Sequence, residues 1–132
     1  MRPTGPVPLG ELESAVMEHC WMAGESDAKS VHRAVGEPRQ ITLNTIQSTL
    51  KRLYAKGLLG RRKVSHAHLY APRRSREEFH RDVLSEIATR FSRSEPSGML
   101  AAFVDLADRA GADTLERLEQ LVAERLRARG RE

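Results

Sequence analysis

Thr42-Leu-Asn-Thr-Ile-Gln-Ser-Thr-Leu-Lys-Arg-Leu-Tyr-Ala-Lys-Gly57 is the stretch that decides the fold of this chain. Thr42 is an N-cap residue type standing before an apolar periodicity, and Gly57 stands where a C′ glycine ends a helix. With Ile46 as reference at 100° per residue, Leu43, Leu50, Leu53, Tyr54 and Gly57 fall within about 80° of it. The other face carries Asn44, Thr45, Gln47, Ser48, Lys51 and Arg52. Asn and Gln suit bidentate contact with adenine, and Thr offers a hydroxyl and a methyl for thymine. A helix with such residues in its first turns suits the DNA major groove. Asn44, Thr45, Gln47 and Ser48 are therefore expected at base edges, with Thr42, Lys51, Arg52 and Lys56 at phosphates.

The charge around this helix points the same way. From Pro38 to Arg76 there are ten Lys and Arg and no Asp or Glu, although the whole chain holds 18 acids. Residues 1–37 and 77–132 each sum to −3, so the net +4 is a concentrated patch of the kind a polyanion attracts. Within it, Arg61-Arg62-Lys63 reads as a basic strand lying along the DNA backbone or minor groove. Strand alternation puts Arg61 and Lys63 on one face and Arg62 on the other, so the three cannot contact DNA equally.

Outward from the patch, a first helix is expected over Gly10–Met22, with Leu12, Ala15, Val16, Cys20 and Trp21 on one side and Gly24 as its end. Ser26-Asp27 caps a short second helix over Ala28–Val35, with Val31, Ala34 and Val35 inward and Gly36 as its stop. Glu37–Gln40 is a turn. Gly60–Val64 and Leu69–Pro72 flank Ser65-His-Ala-His68 as a β-hairpin. Three helices and a basic hairpin make a winged helix-turn-helix over residues 9–74, behind a disordered lead over 1–8. Ser75-Arg-Glu-Glu78 is a capping box opening a fourth helix. A break at Arg93–Gly98, a fifth helix and a sixth follow, with the Arg125–Arg131 tail frayed. Residues 75–132 form a three-helix region whose apolar residues exceed what so small a bundle can hide. Phe79, Val83, Ile87, Phe91, Leu100, Phe103, Val104, Leu115, Leu118 and Val122 are expected to serve a homodimer. The fold class is mainly α.

Several classes are disfavoured. No Gly-rich phosphate loop, HExxH or nucleophile elbow is present, so no enzyme and no cofactor is expected. His66 and His68 lack further metal ligands, and no metal is expected. Cys20 is alone, which precludes an intramolecular disulfide and suits a small buried hydrophobe. No apolar run reaches the ~20 residues of a membrane span, and a soluble cytoplasmic protein is expected.

Thr45-Ile46 followed by Leu50-x-Arg52-Leu53-Tyr54-x-Lys56-Gly57 matches the T-I-x-x-x-L-x-R-L-x-x-K-G pattern of the penicillinase-repressor family, and the chain resembles that family. Glu13, Val16-Met17 and Trp21 are similar to the E-x-x-V-M-x-x-x-W of its first helix, and Tyr70 to the aromatic of its second wing strand. The resemblance implies a transcriptional repressor acting as a homodimer on a dyad operator, often with TACA/TGTA half-sites, of antibiotic-resistance or stress-response genes. By position it implies base contacts at Asn44, Thr45 and Gln47, of which only Thr45 keeps the family's residue type. In the β-lactam branch a membrane sensor-protease triggers cleavage of an Asn-Phe bond; the matching bond here is Ala102-Phe103. The copper branch has a Cys-x-Cys near its C-terminus, and this chain has no cysteine after Cys20. A second reading, from a different class, is a winged-helix interaction module whose basic face binds an acidic protein partner.

Overall fold

The computed structural model describes residues 9–91 and 97–131, apart from the side chain of Phe91. The expected lead over 1–8, and residues 93–96 of the expected break, lie outside the described residues; Ser97 and Gly98 already belong to the fifth helix. The chain divides into two compact units, Met1–Glu86 and Ile87–Glu132.

The first unit is a winged helix-turn-helix. Helix α1 spans Glu11–Ala23 and ends at Gly24, whose φ of 77° only glycine adopts without strain and whose N–H donates to the Cys20 carbonyl. Strand β1 is Ser26–Asp27, followed by α2 at Ala28–Val31. Asp27 Oδ1 caps α2, accepting from the Ser30 N–H at 2.8 Å. Gly36 is not the stop expected of it. The chain continues through a π-helical turn at His32–Gly36 and a 3-10 turn at Glu37–Arg39, and reverses at Gln40 with φ 57°. Gly36 is glycine for want of room: a Cβ there would lie 2.6 Å from His32 Cδ2 and 3.1 Å from both the Ile41 carbonyl oxygen and Ile46 Cγ1. Ala34, expected inward, is exposed because that change of helical pitch turns it outward.

Helix α3, Leu43–Ala55, follows the expectation at both ends. Thr42 Oγ1 accepts from the Thr45 N–H. At the other end Gly57 has φ 82°, its N–H donates to the Tyr54 carbonyl, and the Leu58 N–H reaches back to Leu53. That pair of bonds is a Schellman closure. Strands β2 (Leu59–Val64) and β3 (Ala67–Pro72) pair antiparallel with Val64 opposite Ala67. The loop is therefore Ser65-His66 alone, two residues shorter than expected, with Ser65 at φ 58°. His68 belongs to β3. β1 adds to the free side of β3, giving the order β1-β3-β2, which two residues without periodicity could not announce.

The core joins Val16, Met17 and Cys20 of α1, Val31, Val35, Ile46, Leu50 and Leu53 of the helix-turn-helix, and Leu59 and Tyr70 of the sheet. Burial pushes the Cys20 thiol up to about 11, which leaves it protonated and unreactive at neutral pH. Helix α4, Arg76–Phe91, starts at the expected capping box: Ser75 Oγ accepts from the Glu78 N–H, and Glu78 Oε1 from the Ser75 N–H. Its opening turns belong to the first unit. Trp21 Nε1 donates to the Arg74 carbonyl, and the Phe79 ring lies 5.7 Å from the Trp21 ring. Phe79 is thereby buried within its own chain, so it is not available to the dimer face expected of it.

In the second unit α5, Ser97–Arg109, packs on α6, Ala112–Gly130. The expected fraying after Arg125 does not occur; α6 runs to Gly130, because its Leu, Ala, Arg and Glu content is strongly helix-forming. No side chain of α5 or α6 is buried. Leu100 is 60% exposed, Val122 51% and Leu126 65%. No helix among the described residues is long and apolar enough to cross a membrane.

Candidate nucleic-acid interface

The side of α3 turned away from the core presents Asn44, Thr45, Gln47, Ser48, Lys51 and Arg52, all exposed. The helix is rooted on the opposite side by Ile46, Leu50 and Leu53, none of which is exposed at all. Thr49, which the wheel left unassigned, is fully buried with them and donates its hydroxyl to the Thr45 carbonyl at 2.8 Å. Asn44, Gln47, Ser48 and Lys51 make no hydrogen bond or ion pair among the described residues, so their polar groups are free for an external partner. Thr45 shares its hydroxyl with Thr42 at 3.1 Å, and Thr42 spends its oxygen on the helix cap.

The cations fall into two groups that their spacing in sequence did not separate. Lys56 Nζ lies 2.8 Å from Glu13 Oε2, and Arg52 reaches the same carboxylate at 4.0 Å while donating to Thr49 Oγ1. Burial pushes the Glu13 carboxyl up, but Lys56, the Gly10 N–H and Arg52 together outweigh it and hold the group below its ordinary value. Arg62 forms a bidentate pair with Glu25, Nε and Nη2 each at 2.7 Å from a carboxylate oxygen. Arg74 pairs with Asp82, and Arg76 with Glu18 while lying over the Trp21 ring. Lys51, Arg61, Lys63 and Arg73 have no carboxylate within 4.0 Å among the described residues.

The wing is docked to the helix by Arg61, whose guanidinium sits 4.1 Å from the centre of the Tyr54 ring. Tyr54 was expected in the core; it is 39% exposed and serves as the platform for that cation. The register places Arg61 opposite Tyr70 and Arg62 opposite Leu69. Arg61 and Lys63 therefore share the face of buried Leu59 and Tyr70, and Arg62 points to the other side, as alternation required. Of the expected phosphate set, Lys51 on α3 and Arg61 and Lys63 on the wing have no acidic partner among the described residues. Arg52, Lys56 and Arg62 carry one.

Sequence reasoning missed Glu13 and Glu25, the acids that fold onto this face. Glu13 had a signal in the first-helix motif; Glu25 had none. An open cavity of about 540 Å³ adjoins Glu25, lined also by His19, Asp27, Ser30 and Arg33. Among the described residues no group of three or more His, Cys, Asp and Glu is placed to hold a metal ion.

Comparison with known proteins bears on the family and the fold. Residues 9–124 match the family described as Penicillinase repressor. A curated relative called Transcriptional regulator BlaI, from two strains of Mycobacterium tuberculosis, is 35% identical over 118 residues, covering 88% of this chain and 83% of the relative. Among solved structures, the DNA binding domain of the repressor BlaI superposes with a TM-score of 0.50 at 23% identity, over 59% of this chain and 93% of that one. The complex structure of hsRosR-S1 superposes with the same score at 20% identity, over 91% and 94% of the two chains. At such identities the two structures bear on the fold alone.

Proposed function

This chain belongs to the penicillinase repressor family and is a DNA-binding transcriptional repressor, and we propose that it works as a homodimer on a dyad operator, reading bases with Asn44, Thr45, Gln47 and Ser48. The carrying observation is the outward side of α3: six exposed residues, none acidic, on a helix anchored by four fully buried side chains. Lys51, Arg61 and Lys63 hold the flanking phosphates with Thr42, whereas Arg52, Lys56 and Arg62 belong to the same backbone track with their charge already shared with Glu13 or Glu25. Gln47 and Asn44 suit adenine edges, whereas Arg and Lys at those positions would suit guanine. Selecting sites from random duplexes tests this reading. An enriched site with two-fold symmetry, its halves about one helical turn or a small multiple apart, is expected; recovery of no preferred sequence overturns it.

The dimer rests on the second unit. Two helices with no buried side chain cannot amount to a core, and the exposed Leu100, Phe103, Val104, Leu121, Val122 and Leu126 supply apolar surface for a second copy. Ile87, Leu115 and Leu118, half-buried in a single chain, add to it within the same unit, and Val83 and Phe91 are assigned to the dimer by their spacing along α4. Sedimentation at micromolar concentration is expected to show twice the 14.8 kDa chain mass. Val122→Asp should shift the population to monomer, and a wild-type protein that sediments only as monomer refutes the proposal.

Relief of repression by cleavage at Ala102–Phe103, through a membrane sensor-protease system, is the accompanying proposal. The bond lies inside α5, and a protease needs extended backbone. α5 has no buried side chain to hold it closed, so local opening there costs little. Induced cells should accumulate a fragment ending at Ala102; full derepression with intact protein rules this route out.

A further inference from the structure

Five of the ten cations in the acid-free window meet carboxylates from outside it, and one of these pairs differs from the others. Glu13 on Lys56 and Glu18 on Arg76 tie α1 to the end of α3 and the start of α4, and Asp82 on Arg74 ties α4 to the segment that leads into it. Glu25–Arg62 joins the loop after α1 to the outward face of the wing edge strand, where the Arg62 side chain is 63% exposed and Glu25 37%. Neither side chain roots in the core, so the pair contributes little to stability. Its consequence is electrostatic: a cation presented to the DNA backbone is already neutralised. We propose that Glu25 is an internal counter-ion on wing residue Arg62 that holds its guanidinium against the pull of duplex DNA, so that Glu25 limits the overall affinity and salt dependence of the head.

The geometry of the pair supports that competition. Both carboxylate oxygens accept from Nε and Nη2, so the face of the guanidinium best suited to bidentate phosphate contact is occupied. Each partner stabilises the other's charge, lowering the Glu25 carboxyl and raising Arg62, so the pair is ionised throughout the neutral range. Counterion release scales with the number of phosphates neutralised, and a cation carrying its own carboxylate adds almost nothing to that number. Free of Glu25, Arg62 adds one phosphate contact whatever the base sequence.

This inference rests on the proposed DNA binding, and its test keeps the two separable. Wild type, Glu25→Gln, Arg62→Ala and the double variant are titrated, as full-length protein, against one operator duplex and one scrambled duplex between 50 and 300 mM salt, on the order of the range over which phosphate contacts dominate. Glu25→Gln is expected to raise affinity for both duplexes roughly five- to tenfold near 0.1 M salt and to steepen the log–log salt slope by about 0.9. Arg62→Ala alone should change the slope little, and adding Glu25→Gln to it should change nothing further. Three results overturn the proposal: unchanged affinity in Glu25→Gln; a loss of affinity, which would make Glu25 a positioner of Arg62; and an equal gain in the Arg62→Ala background, which would make it a diffuse charge effect. Absence of duplex binding by wild type and every variant would remove the repressor reading itself and this inference with it.

Discussion

Replacing Gly36 by Ala tests the packing that sets α3 in its place. At φ −77° the backbone there is ordinary helix, so alanine carries no conformational strain and gains about 0.8–1 kcal/mol of helix propensity over glycine. Against that gain stands contact. The added Cβ would meet His32 Cδ2 at 2.6 Å and the Ile41 carbonyl oxygen and Ile46 Cγ1 at 3.1 Å each. The His32 ring cannot simply swing away, because its Nε2–H donates to the Ile41 carbonyl at 2.9 Å. Overpacking of this kind costs about 1–3 kcal/mol, and loss of the histidine bond a further 0.5–1.5 or so. The net expectation is about 1–3 kcal/mol of destabilisation, a fall of roughly 5–15 °C in the melting temperature of a unit this size. Thermal and urea melts followed by circular dichroism measure it. Gly36→Ala combined with His32→Ala should cost less than the sum of the single changes, since removing the ring makes the space. A Gly36→Ala protein melting at or above the wild type would refute the reasoning.

Three further outcomes are expected. Lys51→Ala and Lys63→Ala should each weaken binding to all duplexes alike and reduce the salt slope by about 0.9, whereas Lys56→Ala should lower the melting temperature more than it changes the slope, because Lys56 is bound to Glu13; equal effects of the three on DNA binding would contradict this. Gln47→Ala should alter preference among sites by roughly 1–3 kcal/mol at one base pair and leave scrambled-duplex affinity unchanged, as competition titration would show. The Ser30 N–H, capped by Asp27, holds that carboxyl below its ordinary 3.8. With a depressed folded value, its stabilisation is present above the ordinary aspartate range and is lost as pH falls through the folded value. Stability should therefore decline below about pH 4, and Asp27→Ala should cost about 1 kcal/mol at pH 7 while flattening that decline; an unchanged acid limb would count against it.

Legibility differed by the range of the interaction. Thr42 and Gly57 bounded α3, and Ser75 with Glu78 opened α4, as read from residue type and spacing, because a cap bonds to groups three or four residues away. The outward α3 residues were read correctly for the same reason. The π-helical turn after Val31, the two-residue β1 and the αL turn at Gln40 were not, since each follows from fitting α2 against α3 and the sheet. Tyr54 and Phe79 lay on apolar faces yet went to different uses, one as platform for Arg61 and the other as packing for Trp21.

What this sequence determined by itself is a capped helix with an acid-free outer side, a basic hairpin behind it and a tail with more apolar surface than it can bury. All are short-range properties of periodicity and capping. What only the tertiary structure decided is which cations remain free. The carboxylates on Arg62, Lys56 and Arg76 come from 37, 43 and 58 residues away. Coulomb attraction acts over a few ångströms irrespective of that separation, so the window that reads as ten uncompensated charges is half paired once α1, the loop after it and α4 fold against it.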